Sequence, residues 1–158
     1  MRDDFQKEFG PLFKALSIGD KAKEKTALNL YNTALKVFEA SIGNDVGTYS
    51  TTLLKVGKHV WGKKFKGVYS SNSKIPKGYS ICNVDAIGEP GSHWLAICDG
   101  VIYDSFGRTI KTLAKDLSRF KDVDLDAEQS KKENNCGARS LAFIFVYDTL
   151  GEEYAKLI

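Results

Sequence analysis

The chain has 158 residues, 42% of them hydrophobic and 27% charged, which is typical of one soluble domain whose core needs neither a metal nor a disulfide. A formal net charge of +3 is too small to indicate nucleic-acid binding by itself, and an aromatic content of 11% argues against extended disorder. The sequence contains no run of about 18 apolar residues, so no membrane span is predicted.

The N-terminal third of the sequence is predicted to be helical. Apolar residues recur at steps of three and four over residues 20–43, which is the pattern of an amphipathic helix. Shorter helices are expected over residues 11–16 and 51–60, although Gly57 weakens the second of these predictions. Residues 1–60 are therefore interpreted as a mainly helical segment.

A region of strands and turns begins after Trp61. The stretch FKGVYSSNSKIPKGYSICNVDAIGEPGSHWLAICDGVIYDSFG is rich in β-branched and aromatic residues and is interrupted by Gly, Pro, Asn and Ser. Asp99 and Gly100 separate two apolar runs within it, and a D-G dipeptide in that position favours a two-residue hairpin loop. We therefore predict an antiparallel hairpin in which Cys98 pairs with Val101.

The C-terminal part of the sequence alternates helix, strand and helix. Helical spacing predicts a helix over residues 109–120, and the alternating stretch DVDLDAE predicts a short strand. An almost continuous apolar run lies within the final predicted helix, residues 136–150, so this helix should be covered on nearly every side. Residues 1–158 are thus predicted to form a single α+β domain with a mixed sheet, and residues 61–158 are its candidate catalytic core.

The predicted hairpin brings two ionisable side chains together. Counting outward from its turn places His93 and Asp104 on one face as diagonal neighbours. A carboxylate that contacts an imidazole fixes the tautomer of the ring and stabilises the imidazolium, as in a general base. A histidine packed at a strand start, beside an aspartate that ends the next strand, is an equally good interpretation. The pair alone does not decide between the two.

Cys136 opens the final predicted helix and is followed by Gly137. The helix dipole and the unpaired N–H groups of a first turn lower the pKa of a thiol, and a nearby imidazole lowers it further. The same N–H groups can donate to an oxyanion, Gly137 lets a substrate backbone approach, and Gln129 can add its amide. Each feature is weak alone, because a helix-starting cysteine is usually a buried structural residue and a lone glutamine usually lies on the surface.

The remaining cysteines and the basic residues give weaker signals. Cys82 and Cys98 fall in predicted strands and are expected to be core residues. The spacing of cysteines and histidines matches no metal knuckle, so no metal and no cofactor are expected. An odd number of cysteines and a charged first segment indicate an intracellular setting rather than secretion. A lysine cluster can contact DNA but is more typical of a solvated surface; it consists of Lys63, Lys64 and Lys66.

Three motifs in chain order carry a resemblance to a known family. The motifs are GSHW, YDSFG and QSKKENNCG, the last of which opens an apolar helix. With these motifs in this order, the sequence resembles the adenovirus-type cysteine proteases, relatives of the SUMO-specific proteases, over about residues 65–150. The resemblance implies the adenain-like fold, with a mixed central sheet and a buried central helix that starts at the nucleophile. It also implies the site roles: Cys136 as nucleophile, His93 as base and then acid, Asp104 as the residue that orients His93, and Gln129 with the Cys136 N–H as oxyanion hole.

Further implications of the resemblance concern the substrate groove and activation. Trp94, directly after the histidine, would line the substrate groove with Gly137, although a core aromatic is an equally good interpretation of Trp94. The acid is an aspartate, as among SUMO-protease relatives, where adenoviral members have a glutamate. No cysteine lies between Asp104 and Gln129, so activation by a peptide tethered through such a cysteine is not supported.

The resemblance implies a cysteine endopeptidase that processes viral capsid or core precursors after small residues such as Gly-Gly. Its partners would be that protein substrate and, more weakly, DNA; the enzyme is expected to be a monomer in the host cytoplasm or nucleus, and packaged in the virion. A deconjugase that removes SUMO- or ubiquitin-like tails is the nearest alternative. A Cys-dependent protein acetyltransferase and a non-catalytic binding module are more distant ones.

Overall fold

The computed structural model describes residues 20–42, 50–85, 92–109, 117–123, 127 and 135–158. The helices are α1 (Asp20–Ile42), α2 (Ser50–Trp61), a 3-10 turn (Gly62–Lys64), α3 (Cys136–Leu150) and α4 (Glu152–Ala155). The strands are β1 (Phe65–Ser70), β2 (Tyr79–Asp85), β3 (Ser92–Cys98), β4 (Val101–Tyr103) and β5 (Lys121–Asp122).

The five described strands form one mixed sheet in chain order, β1-β2-β3-β4-β5. The outer pairs β1–β2 and β4–β5 are parallel, whereas the inner pairs β2–β3 and β3–β4 are antiparallel. With the helices packed against it, this sheet confirms the predicted α+β class. Strand β3 lies at the middle of the sheet, so a side chain placed at its end is held by neighbours on both sides.

The β3–β4 hairpin has the predicted register. Cys98 pairs with Val101 across a turn in which Asp99 and Gly100 both have positive φ, 47° and 92°. Two successive positive φ angles match the right-handed twist of the adjoining strands, which is why Asp-Gly is favoured there. The register then continues outward, so side chains beyond the end of β4 face the start of β3.

The two N-terminal helices of the described structure confirm the helices predicted from the periodicity of the sequence. Helix α1 begins where it was predicted and is described to Ile42, and α2 extends the predicted 51–60 helix by one residue at each end. Gly57 is buried in α2, where an added Cβ would lie 2.4 Å from a ring carbon of Phe65. A glycine weakens a helix by about 1 kcal/mol relative to alanine, but here it gives the ring the space it needs.

Helix α3 is the central helix of the described fold, as predicted. Every residue from Gly137 to Val146 is buried, and the helix packs against α1 on one side and β3 on the other. The larger core cluster lies on this face of the sheet and joins the four helices. A smaller cluster covers the opposite face; it consists of Ile75, Cys82, Val84, Leu95, Ile97, Ile102 and Leu117.

Some predicted elements differ from the structure or fall outside it. The 11–16 helix lies outside the described residues, as do residues 110–116 of the predicted 109–120 helix, and residues 117–120 form a turn. The predicted short strand appears as β5, which begins one residue earlier than its motif and is described over only two residues. Helix α4, after Gly151, was not predicted. Within the described ranges, no helix has the length and hydropathy to cross a bilayer.

Candidate active site

His93 and Asp104 form a buried pair at the open end of the β3–β4 hairpin. Nε2 of His93 lies 2.6 Å from Oδ1 of Asp104, and each residue is only 5% exposed. The contact is the diagonal one that the predicted register implies. Because a carboxylate can only accept, Nε2 carries the proton, and Nδ1 is the nitrogen left to face another group.

The carboxylate of Asp104 is held through both of its oxygens. The backbone N–H of Phe106 donates to Oδ1 at 3.0 Å, and the backbone N–H and Nε of Arg108 donate to Oδ2 at 3.1 and 3.0 Å. The turn that supplies these donors closes through a hydrogen bond from the N–H of Gly107 to the carbonyl of Asp104, 2.9 Å. Burial raises the pKa of Asp104, but its bonds to His93, Phe106 and Arg108 outweigh burial and hold the pKa below its ordinary value.

The imidazole of His93 is also fixed by a ring contact. The centroid of the Phe106 ring lies 4.7 Å from that of His93, with 31° between the two planes. Burial lowers the pKa of His93, but contacts with Asp104 and with the thiol of Cys136 together raise the pKa above its ordinary value. The ring is therefore held in one orientation and readily carries a second proton.

Cys136 is the first residue of α3, and its side chain is partly exposed. Its thiol makes a hydrogen bond with His93 and accepts hydrogen bonds from the backbone N–H groups of Trp94 and Gly137. Burial raises the pKa of this thiol, but the imidazole and the two N–H groups outweigh burial, so the pKa falls below that of an ordinary cysteine. The arrangement is a thiol, an imidazole and a carboxylate in sequence, and both pKa shifts act in the direction of a thiolate–imidazolium pair.

A polar network holds the start of α3 against β3 and α1. The hydroxyl of Ser140 donates to the carbonyl of Trp94 at 3.2 Å, directly beside His93. Nε of Arg139 donates to Oδ1 of Asn135 at 3.0 Å, and its Nη1 donates to the hydroxyl of Tyr31 at 3.2 Å. These contacts were not predicted, because a sequence places an arginine on a surface by default; Arg139 is 8% exposed.

The other candidate residues have varied positions. Trp94 packs its ring into the larger core with 8% exposure, and it reaches the thiol through its backbone N–H. Gly137 is buried beside the thiol, which it also contacts through its N–H. Gln129 lies outside the described residues. The groove role of Trp94 and the oxyanion role of Gln129 stay predictions.

The lysine cluster lies on the surface, away from the core. Lys64 pairs with Asp148 at 3.4 Å with its side chain 63% exposed, and Nζ of Lys66 donates to the carbonyl of Lys63 at 3.0 Å. Exposed pairs of this kind contribute at most about 1 kcal/mol. These contacts fit a solvated surface, and a contact with DNA stays a prediction.

Comparison with known proteins gives no relative. No protein-family model matches the chain, and no curated protein or solved structure matches it at a significant level. Function is therefore argued from the geometry of Cys136, His93 and Asp104 and from the motif resemblance.

Proposed function

We propose that the chain is a cysteine endopeptidase in which Cys136 is the nucleophile, His93 the general base and acid, and Asp104 the residue that orients His93. One observation carries the proposal: a buried, carboxylate-bound imidazole contacts a thiol at the start of the central helix. Structural cysteines in a core lack such partners, and their pKa rises. An adenain-like fold, implied by the motif resemblance, is part of the same proposal.

The first chemical step forms an acyl-enzyme. The Cys136 thiolate attacks the carbonyl carbon of the scissile peptide, a C–S bond forms, and the carbonyl oxygen becomes an oxyanion. Imidazolium of His93 then gives its Nδ1 proton to the amide nitrogen, the C–N bond breaks, and the amine leaves. The contact of Nε2 with Asp104 keeps Nδ1 directed at the reacting atoms throughout.

The second step releases the product with water. Neutral His93 now takes a proton from a water molecule through Nδ1, and the resulting hydroxide attacks the thioester carbonyl. The C–S bond breaks, the product leaves as a carboxylic acid, and Cys136 returns to thiolate beside imidazolium. Backbone N–H groups at the start of α3 are suited to stabilise the oxyanion of both steps, and Gln129 is proposed as the second donor.

The proposed substrate is a capsid or core precursor of a virus, cleaved after small residues such as Gly-Gly. This part of the proposal depends on the motif resemblance and not on a described substrate pocket. A viral maturation enzyme would act inside the host cell, in cytoplasm or nucleus, and be packaged in the virion.

The proposal is tested with a panel of Gly-Gly-X peptides and of ubiquitin-like precursors, given to wild type and to Cys136→Ala. We expect wild type to cleave Gly-Gly peptides and Cys136→Ala to cleave none. Preference for folded ubiquitin-like precursors over free peptides would favour the deconjugase instead. If wild type cleaves no member of the panel and an electrophilic thiol probe does not label Cys136 in preference to Cys82 and Cys98, the peptidase proposal is wrong.

A further inference from the structure

Arg108 contacts Asp104 on the oxygen that does not face His93. Its Nε lies 3.0 Å from Oδ2 and its backbone N–H 3.1 Å from the same atom, whereas His93 contacts Oδ1. One carboxylate thus lies between two groups that can both be cations. Neither the motif resemblance nor the proposed mechanism assigns a role to Arg108.

The side chain of Arg108 is built into the site by a stack of planar groups. Its guanidinium carbon lies 4.9 Å from the ring centroid of Phe106, which in turn lies 4.7 Å from the ring centroid of His93. The side chain is 30% exposed, yet its Nη2 is buried, and no described group accepts a hydrogen bond from it. Leaving a buried donor unpaired costs free energy, so the contact with Asp104 and the stack on Phe106 must hold the guanidinium in place.

We propose that Arg108 is a positioning residue, which locks the carboxylate of Asp104 with Oδ1 towards His93 and offsets part of its negative charge. The proposal depends on the peptidase proposal for its catalytic consequence, although not for its effect on His93. Backbone N–H groups of Phe106 and Arg108 hold one oxygen of the carboxylate each, and the Arg108 side chain adds a second, charged donor to Oδ2. This donor strengthens the hold on the carboxylate, and the orientation of the imidazole follows from that of the carboxylate.

The charge of Arg108 also affects how easily His93 releases its proton. Asp104 stabilises the imidazolium, and a base that is stabilised too strongly is a poor acid towards the leaving amine. In the described elements packed around the carboxylate, the ionisable groups facing it are His93 from β3 and Arg108 from its own turn, while Cys136 of α3 faces His93. Arg108 is thus the cation that opposes the effect of Asp104 on the ring.

The test replaces Arg108 by methionine, which keeps the backbone N–H and an apolar chain over Phe106 but removes the charge and the side-chain donor. Arg119→Met is the matched control, because Arg119 is exposed and stacks on Phe120 at 4.4 Å. We expect Arg108→Met to lower kcat about 10- to 100-fold, by analogy with the loss of a partner that orients a metal-binding residue, with little change in KM. The imidazole signals of His93 in NMR should titrate at higher pH than in wild type, and Arg119→Met should change neither quantity.

Two further variants separate positioning from a general loss of structure. Arg108→Lys keeps the charge without the planar fork, so the His93 titration should stay near that of wild type while kcat falls less than in Arg108→Met. In an Asp104→Asn background, Arg108→Met should have no additional effect on kcat, because its effect passes through Asp104. The inference is overturned if the two kcat losses multiply, or if Arg108→Met or Arg108→Lys behaves like Arg119→Met.

The NMR titration needs no peptide cleavage, so this inference and the peptidase proposal can fail separately. A shifted His93 titration in Arg108→Met without any peptide cleavage by wild type would support the role of Arg108 and overturn the peptidase. Cleavage by wild type together with an unshifted His93 titration in Arg108→Met would support the peptidase proposal and overturn the role of Arg108.

Discussion

The last residue of strand β3 and the first residue of helix α3 are both cysteines, and the two thiols differ in almost every respect. Cys98 is fully buried, and burial, reinforced by the charges of Asp99 and Asp148, raises its pKa well above the ordinary value. Cys136 is partly exposed, and its pKa is lowered. Cys82 on β2 resembles Cys98, since burial raises its pKa to about 12, although the charge of Arg119 opposes the shift.

The difference follows from where each residue lies in its element. Within a strand the backbone N–H groups bond to the neighbouring strands, so a buried thiol gains no backbone donors that would offset the cost of burying its charge. At the first residue of a helix several N–H groups have no partner within the helix, and here a hairpin end brings an imidazole as well. Burial makes a thiol inert unless polar groups accompany it.

The largest expected effect comes from removing the imidazole that distinguishes the two thiols. His93→Ala should reduce kcat for a Gly-Gly peptide by about 10⁶-fold, the loss found when the histidine of a catalytic triad is removed, measured by steady-state kinetics. His59→Ala, at an exposed position on α2, is the control and should retain wild-type kcat. Wild-type activity of His93→Ala would show that the imidazole of His93 does not act with the thiol of Cys136 in catalysis.

A smaller effect is expected from the proposed second oxyanion donor. Gln129→Ala should retain weak activity, about 100- to 1,000-fold below wild type in kcat, because one donor is lost while the N–H groups of α3 remain. The comparison with His93→Ala is made on the same peptide. Full activity of Gln129→Ala would remove this residue from the site.

Serine substitutions at the two cysteines should have opposite effects. Cys98→Ser buries a hydroxyl among apolar side chains and should lower the free energy of unfolding by about 1–3 kcal/mol while leaving kcat unchanged. Cys136→Ser should abolish detectable cleavage with a smaller loss of stability, because the position is partly exposed and has polar partners. Urea unfolding measures the free energy of unfolding of each variant, and peptide assays measure its kcat. A larger stability loss for Cys136→Ser than for Cys98→Ser would contradict the distinction between a buried structural thiol and a reactive one.

The sequence predicted the parts of the site that depend on short-range rules. The D-G turn and the alternation of side chains along the two strands were enough to predict that His93 lies beside Asp104. The apolar run of the last helix was enough to predict that the helix is buried and begins at Cys136. The contact of Arg108 depends on the conformation of a turn with Gly107 at φ 70°, which the periodicity of strands and helices does not describe. An acid followed four residues later by an arginine was the available signal.

Contacts between distant elements were the least predictable. Arg139 is buried because Tyr31 of α1 and Asn135 supply oxygens to it, and neither partner can be chosen from sequence spacing. The N–H of Trp94 reaches the thiol of Cys136 only because α3 begins beside that strand, with Ser140 bonded to the same residue. Helix α4 is four residues long, too short for helical periodicity to show.

The most direct measurement of the central claim is the pH dependence of alkylation at each cysteine of the folded protein, quantified by mass spectrometry. A thiolate appears as the pH rises through the pKa of the thiol, and the lowered pKa of Cys136 places this at a lower pH than for an ordinary cysteine. The raised pKa of His93 keeps imidazolium present to a higher pH than in an ordinary histidine, so both shifts favour a thiolate–imidazolium pair.

Cys136 should be alkylated with a midpoint at lower pH than that of a free cysteine, while Cys82 and Cys98 should stay unreactive until the protein unfolds. In His93→Ala the midpoint of Cys136 should move to higher pH, because the imidazolium no longer stabilises the thiolate. Alkylation of Cys136 at or above the pH of a free cysteine, with no response to His93→Ala, would contradict the account.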